Sequence, residues 1–285
     1  MPVTDEDLKI ARLFSIAGKT AVLTGASGFL GRFFARTLLA NGARVVALGR
    51  SARLRQEAQA WAHIYGSEKI HYFQVDMYDL TALGEVFGQI TETEPAIDIL
   101  INNAHELGAA TGFNVPEGQL ELASWDAWMR NLMGGVYWPA VATQKIGERM
   151  KQQNSGSIIN ISTMYALVAP RPQIYAGTAF INPPGYSASK AALLSFTRYV
   201  ASFWGRYGIR ANAILPGPFS NLEDACGQNT VAAADPFLQR LSDATCLGRI
   251  GKPGELSGAL IFLASDASSY MTGQAVVMDG GWTAV

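Results

Sequence analysis

The chain has 285 residues, 23 acidic against 22 basic, so its formal charge is −1, and only 16% of it is charged. That balance excludes the basic stripe by which a nucleic-acid partner is held, and no apolar run approaches the roughly 18 residues of a membrane span. Hydrophobic residues, at 49%, exclude disorder. Two cysteines (Cys226, Cys246) and three histidines (His63, His71, His105) argue against a disulfide framework and a metal cluster. The N-terminal MPVTDEDLKIARLF has acids where a secretory signal puts lysines. A soluble, cytoplasmic protein with no membrane and no nucleic-acid partner is expected.

Taken in chain order, short apolar runs at 20–24, 44–48, 70–75, 97–101, 157–161, 209–214 and 275–278 read as strands. Near-continuous apolar strands are those buried on both faces, so a parallel sheet is implied. Helical patterns fall between them, at 29–40, 54–65, 125–151, 187–207 and 253–264. The alternation predicts an α/β fold of about seven strands, a doubly wound parallel sheet of Rossmann type with helices on both faces. No linker divides the chain, and a single domain spanning 1–285 is the economical reading.

The first strand runs into Thr24-Gly25-Ala26-Ser27-Gly28-Phe29-Leu30-Gly31 and then a helix. Glycines there allow a tight turn and close approach of the backbone to a pyrophosphate, while the helix N-terminus supplies free N–H groups. After the second strand a carboxylate on the ribose marks NAD. Here the strand ends Gly49-Arg50-Ser51-Ala52-Arg53. A guanidinium and a hydroxyl suit a 2′-phosphate, so NADP(H) is preferred and NAD(H) remains possible. Arg50, Arg53 and Arg55 can alternatively be the solvated face of the next helix.

Tyr186-Ser187-Ala188-Ser189-Lys190 opens a helical pattern, placing tyrosine and lysine on one face at i and i+4. An ammonium beside a phenol favours the phenolate and brings a proton-transfer group towards neutral pH. The same spacing recurs at Tyr65 and Lys69, but without partners, and reads as surface. Around Tyr186 stand Ser162, just past the 157–161 strand, and Asn131 within the 125–151 helix. Both the serine and the Asn102-Asn103-Ala104 end of the fourth strand fall at the carboxyl edge, where open α/β sheets take ligands.

These motifs (TGASGFLG, Asp76, NNAH, Asn131-Leu132, Ser162, YSASK, PGPFSN and MTGQAVVMDGGW) resemble those of the short-chain dehydrogenase/reductase family, in its short single-domain form. The likeness runs from about Gly18 to Trp282. It implies that Tyr186 moves the proton, that Lys190 lowers its pKa and binds ribose, that Ser162 orients the reacting oxygen, and that Asn131 holds a relay water. It implies cofactor contacts from Gly25, Ser27, Gly28, Phe29, Leu30, Gly31, Arg50, Ser51, Asp76, Met77, Asn102, Asn103, Ala104, Tyr186, Lys190, Pro216, Gly217 and Phe219. The activity implied is alcohol–ketone interconversion by hydride transfer, by a homotetramer or dimer built on the 125–151 and 187–207 helices. A 3-oxoacyl-thioester reductase shares these motifs. A non-catalytic dinucleotide-binding protein is the third reading, and it has no need of a positioned tyrosine.

Four features depart from the family's pattern. The glycines are spaced GxxGxxG, with Phe29 where the family has glycine. His105 replaces the glycine of NNAG, and Asn221 or Ser220 stands where a threonine would hold the carboxamide. Ser162 and Tyr186 lie 24 residues apart, about twice the family's usual interval, which creates an insert at 169–185. The insert offers Arg171 and Tyr175 as substrate contacts, alongside His105, and resembles a bacterial branch associated with carbohydrate and nucleotide-sugar metabolism. A hydroxylated, sugar-like substrate is the expectation, with Arg171 as anion contact; the alternative is a loop that only covers the sheet edge or an interface. An N-terminal lead at 1–18 and a substrate lid at 218–248 complete the expected organisation.

Overall fold

The computed structural model describes residues 4–6, 8–178, 180–220 and 236–285. Asn221, Cys226 and the rest of 221–235, just under half of the expected lid, lie outside the described residues. Seven strands, β1 (Thr20–Thr24), β2 (Arg44–Gly49), β3 (Ile70–Gln74), β4 (Ile99–Asn102), β5 (Gly156–Ile161), β6 (Ile209–Pro216) and β7 (Ala275–Met278), form one sheet. Their order is β3-β2-β1-β4-β5-β6-β7 and every pairing is parallel. The doubly wound class read from the sequence is therefore observed. The central strands are buried on both faces, whereas β3 and β7, at the sheet's edges, are half-exposed.

Side chains alternate across the sheet with period two, so each strand serves two cores. The short helix α1 (Ile10–Leu13) precedes the sheet and another, α7 (Pro172–Tyr175), follows β5. Ala21, Leu23, Val45, Ala47, Ile99 and Ile101 face the layer of α2 (Phe29–Ala40), α3 (Arg53–Tyr65) and the helix Ser257–Ala264. Val22, Val46, Leu48, Leu100 and Ile158 face α4 (Leu80–Thr93), α6 (Trp138–Gln153) and α8 (Pro184–Trp204). Each fully buried leucine or phenylalanine on these faces contributes about 2 kcal/mol by leaving water. Helix α4 fills the interval between β3 and β4, as the alternation of strands and helices requires. It starts where the Asp79 carboxylate caps the Ala82 N–H at 3.0 Å, and it buries Leu83, Phe87 and Ile90 at helical spacing.

The long helix expected over 125–151 is two helices. Helix α5 (Trp125–Leu132) passes into a π turn, Met133–Tyr137, before α6. Gly134 and Gly135 sit in that turn, Gly135 with no room for a side chain and Gly134 in a tight fit. A Cβ at Gly135 would lie 2.1 Å from the Ser189 hydroxyl of α8, and one at Gly134 would lie 3.1 Å from His105 Nδ1. A π turn inside an α-helix commonly marks a functional position, and Asn131 lies two residues before this one.

Candidate active site

The strand order reverses at β1, between β2 and β4, and a cleft of about 590 Å³ opens there at the carboxyl ends of the strands. Its floor is the turn from β1 into α2. Gly25 has φ +67°, and its missing Cβ would meet the Ala104 backbone at 2.8 Å. A Cβ on Gly31 would lie 2.1 Å from the Gly25 carbonyl. Gly28 caps α2 without a side chain, so the first-turn N–H groups at Phe29, Leu30 and Gly31 have no intrahelical acceptor. A backbone cradle whose donors lack an intrahelical acceptor, together with a helix dipole, fits the pyrophosphate of a dinucleotide. Ser27, Arg50, Ser51, Asp76, Met77, Ala104, Pro216, Gly217 and Phe219 line the same cleft.

Two neighbouring asparagines divide the work at the end of β4. Asn103 clamps the glycine turn, its side-chain amide donating to the Thr24 and Gly25 carbonyls at 3.1 Å each. Asn102, expected on the ribose side, is instead 2% exposed and donates to Asn160 Oδ1 at 2.8 Å inside the core. Alternation along the strand puts it on the far side of the sheet.

Across the cleft, α8 presents Tyr186 and Lys190. The tyrosine ring is flanked edge-on by His105 and Phe113, with centroids 5.1 Å away in each case. Lys190 Nζ stands 5.9 Å over the same ring and donates to the Ile161 carbonyl at 2.9 Å. Burial pulls the lysine down to about 7 and pushes the tyrosine up to about 12. The group that opposes the rise at Tyr186 is a hydrogen bond from Thr163; the nearby Tyr165 pushes the same way as burial. Asn131 donates from its side chain to the Thr111 and Ala127 carbonyls at 2.8 Å, which leaves its buried Oδ1 as an acceptor beside His105.

A general acid–base pair beside a dinucleotide cradle suits hydride chemistry, and the comparisons agree. A family model described as enoyl-(acyl carrier protein) reductase matches residues 25–283. Gluconate 5-dehydrogenase of Gluconobacter oxydans is 32% identical over 271 residues, covering 95% of this chain and 97% of that protein. Galactitol 2-dehydrogenase (L-tagatose-forming) of Cereibacter sphaeroides is 30% identical over 271 residues, with the same coverage of 95% and 97%. The crystal structure of a gluconate 5-dehydrogenase from Burkholderia cenocepacia, in complex with NADP and tartrate, aligns with a TM-score of 0.79 at 27% identity, covering 97% of this chain and 100% of that one. The chain belongs to the short-chain dehydrogenase/reductase family.

Several side chains of this short-chain dehydrogenase/reductase stand elsewhere than the motif alone suggests. Ser162, expected to orient the reacting oxygen, turns its hydroxyl to the Lys190 main-chain carbonyl at 2.9 Å. The hydroxyl beside Tyr186 is that of Thr163, one residue on. The neighbour expected to lower the tyrosine's pKa was Lys190, yet its ammonium lies over the ring face and the lowering comes from Thr163. Arg171 is not turned to the cleft. It donates to the Trp282 and Val285 carbonyls at 3.2 and 2.9 Å and lies over the Trp282 ring, pinning the segment to the C-terminal residues. Tyr175 meets Tyr165 hydroxyl to hydroxyl at 2.8 Å, and burial raises the pKa of both.

His105 does line the cleft, its ring buried with the Gly134 backbone and the Asn131 side chain as its polar neighbours. Burial, assisted by the charge of Lys190, pushes it down to about 3, so the ring is neutral at any working pH. The described part of the expected lid, helix Pro236–Asp243, packs on the 169–185 segment through stacked Phe237 and Phe180, with centroids 4.2 Å apart. Phe113, Thr163 and Tyr165 are site residues that motif reading passes over. The only signal for Thr163 was its hydroxyl next to Ser162.

Proposed function

We propose that the protein is an NAD(P)(H)-dependent oxidoreductase interconverting a secondary alcohol and a ketone on a sugar, polyol or sugar-derived substrate, with NADP(H) preferred. The observation that carries this reading is Tyr186, Thr163 and Lys190 lining a cleft whose floor is the glycine turn at 25–31. Relatives whose names denote gluconate and galactitol dehydrogenases support the substrate class. Arg50 and Ser51 at the end of β2, with no carboxylate on that strand's end, support the cofactor preference.

Residues 25–31 would hold the pyrophosphate on backbone N–H groups, and Lys190 the ribose. A bound nicotinamide nucleotide supplies the hydride acceptor or donor. Thr163 holds the substrate oxygen through its hydroxyl, and Tyr186 takes the alcohol proton during oxidation or returns it during reduction. Lys190, titrating near neutrality, is the buried cation beside that phenol. Thiolate, metal and carboxylate chemistry are not called on by this reading.

The experiment is reduced-nicotinamide absorbance with NADPH and NADH against ketoses, keto-sugar acids and acetoacetyl thioesters. Turnover of a ketose or sugar acid, lost in Tyr186→Phe, is the expected result. Turnover of thioesters alone would favour the acyl reductase, the second reading, which the family description supports. Tight cofactor binding with no turnover across the panel would favour a binding protein. We further propose self-association through α5 and α8, on which Trp125, Tyr199 and Phe203 are more than half exposed; light scattering showing a monomer would overturn it.

A further inference from the structure

Arg50 does not stand free at the end of β2. Its two terminal nitrogens donate to Glu106 Oε1 at 3.2 and 3.3 Å. Arg50 follows β2 and Glu106 follows β4, and β1 lies between those strands. The ion pair therefore bridges the carboxyl end of β1, where the glycine turn leaves the sheet, and both residues line the cleft.

The two partners are held unequally. Glu106 Oε2 also accepts from the Tyr78 hydroxyl at 2.7 Å and from Arg130 at 3.3 Å. Tyr78 is itself fixed, edge-on to Trp138 at 4.8 Å and beneath the Arg130 guanidinium at 5.0 Å. Burial would raise the Glu106 carboxyl, but bonds from Tyr78 and Arg50 and the charges of Arg50 and Arg130 outweigh it and keep the group below its ordinary range. The Glu106 side chain is 15% exposed and that of Arg50 57%. The carboxylate is thus the anchored, permanently charged member, and the guanidinium is the one free to turn.

We propose that Glu106 is a cofactor-selectivity residue, competing with the adenosine 2′-phosphate for the Arg50 fork and so narrowing the margin between NADP(H) and NAD(H). This rests on the reading that Arg50 receives the 2′-phosphate. A guanidinium presents its paired donors to one oxyanion at a time. When Arg50 turns to a phosphate, Glu106 keeps Tyr78 and Arg130, stays ionised, and remains as a like charge on the same cleft wall. A cofactor without the 2′-phosphate makes no demand on Arg50 and meets neither cost. The acid that β2 lacks is therefore supplied by the loop after β4, in a different role.

The test is titration calorimetry of the full chain with NADPH and with NADH, for the wild type, Glu106→Gln, Arg50→Ala and the double variant. Glu106→Gln is expected to bind NADPH about tenfold more tightly, the effect of one charge-assisted hydrogen bond. NADH should stay within about twofold, which also reports that the variant is folded. In the Arg50→Ala background the gain should largely vanish. Tyr78→Phe, which makes Glu106 more dependent on Arg50, should shift NADPH in the opposite direction, weakening it about threefold. Unchanged or weaker NADPH binding by Glu106→Gln, or an equal gain for NADH, overturns the inference. If Arg50→Ala binds NADPH as tightly as the wild type, the underlying reading of Arg50 fails. If Arg50→Ala weakens NADPH but Glu106→Gln changes nothing, only the inference fails.

Discussion

Ser162 donates its hydroxyl to the main-chain carbonyl of Lys190 at 2.9 Å, tying the end of β5 to helix α8. A hydroxyl committed to a carbonyl is a strut, and the one left to face Tyr186 belongs to Thr163. Thr163→Val, nearly isosteric, should lower kcat/KM about a hundredfold, the usual cost of one hydrogen-bond donor at a developing charge. Thr163→Ser should recover most of it. Ser162→Ala should cost about 1 kcal/mol of stability and less than tenfold in kcat/KM. Steady-state kinetics and urea denaturation decide the matter, and the reverse pattern would return the orienting role to Ser162.

Lys190 makes function and stability pull apart. Its pKa falls from 10.5 to about 7 through burial, with Nζ held on the Ile161 carbonyl. Below pH 7 the lysine is charged in both the folded and the unfolded chain, and folding bears the whole cost of desolvating it. Above 10.5 it is neutral in both, and that cost is gone. Between these values the unfolded chain binds more protons, so stability rises with pH. Lys190→Met should therefore be inactive yet more stable at neutral pH, by about 1–2 kcal/mol, with the advantage shrinking as pH approaches 10.5. Comparing the two proteins at each pH cancels the other titrating groups. A less stable variant at neutral pH would mean that the Ile161 bond outweighs desolvation.

The sheet was legible because strands buried on both faces have no polar alternation to confuse them; β3, exposed at its edge, still read as a strand through its β-branched and aromatic residues. Tyr186 and Lys190 were legible because helical spacing alone puts them on one face, and the glycine turn because only glycine fits there. What sequence could not order was contact across the cleft. Glu106 reaches Arg50 over 56 residues of chain. The choice between Ser162 and Thr163 depends on how the backbone leaves β5, where Thr163 starts the short turn Met164–Ala166. The break after Leu132 carries a local sign in Gly134-Gly135, but the approach of Ser189 of α8 to within 2.1 Å of a Gly135 Cβ is a tertiary contact that spacing does not reveal.

Arg171 carries a prediction opposite to the one its charge invites. Its guanidinium is spent on the Trp282 and Val285 carbonyls and on the Trp282 ring, 5.1 Å away. Trp282 is fully buried and packs edge-on to Tyr165. Arg171→Ala should cost about 1–2 kcal/mol of stability, while KM for neutral and acidic sugars alike changes less than about twofold. Arg171→Lys should recover little, since a point charge cannot reach two carbonyls and stack at once. A tenfold rise in KM confined to acidic substrates, with stability intact, would restore the anion-binding role.

Gly135 links the helix break to the catalytic face. Its missing Cβ would lie 2.1 Å from Ser189 Oγ and 2.4 Å from Ser189 Cβ, one residue before Lys190, and that hydroxyl donates to the Tyr186 carbonyl at 2.9 Å. Gly135→Ala must push the turn after Asn131 away from α8, costing about 1–3 kcal/mol as overpacking does and lowering kcat as Tyr186 and Lys190 shift. Space and backbone freedom are separable here. Ser189→Gly removes both offending atoms, at its own helix cost of about 1 kcal/mol, so in the double variant the alanine's penalty should largely disappear. A double-mutant cycle in denaturation and kcat reads the coupling directly. Strong coupling assigns Gly135 to close packing on α8; additive penalties would assign it to the conformation of the π turn itself.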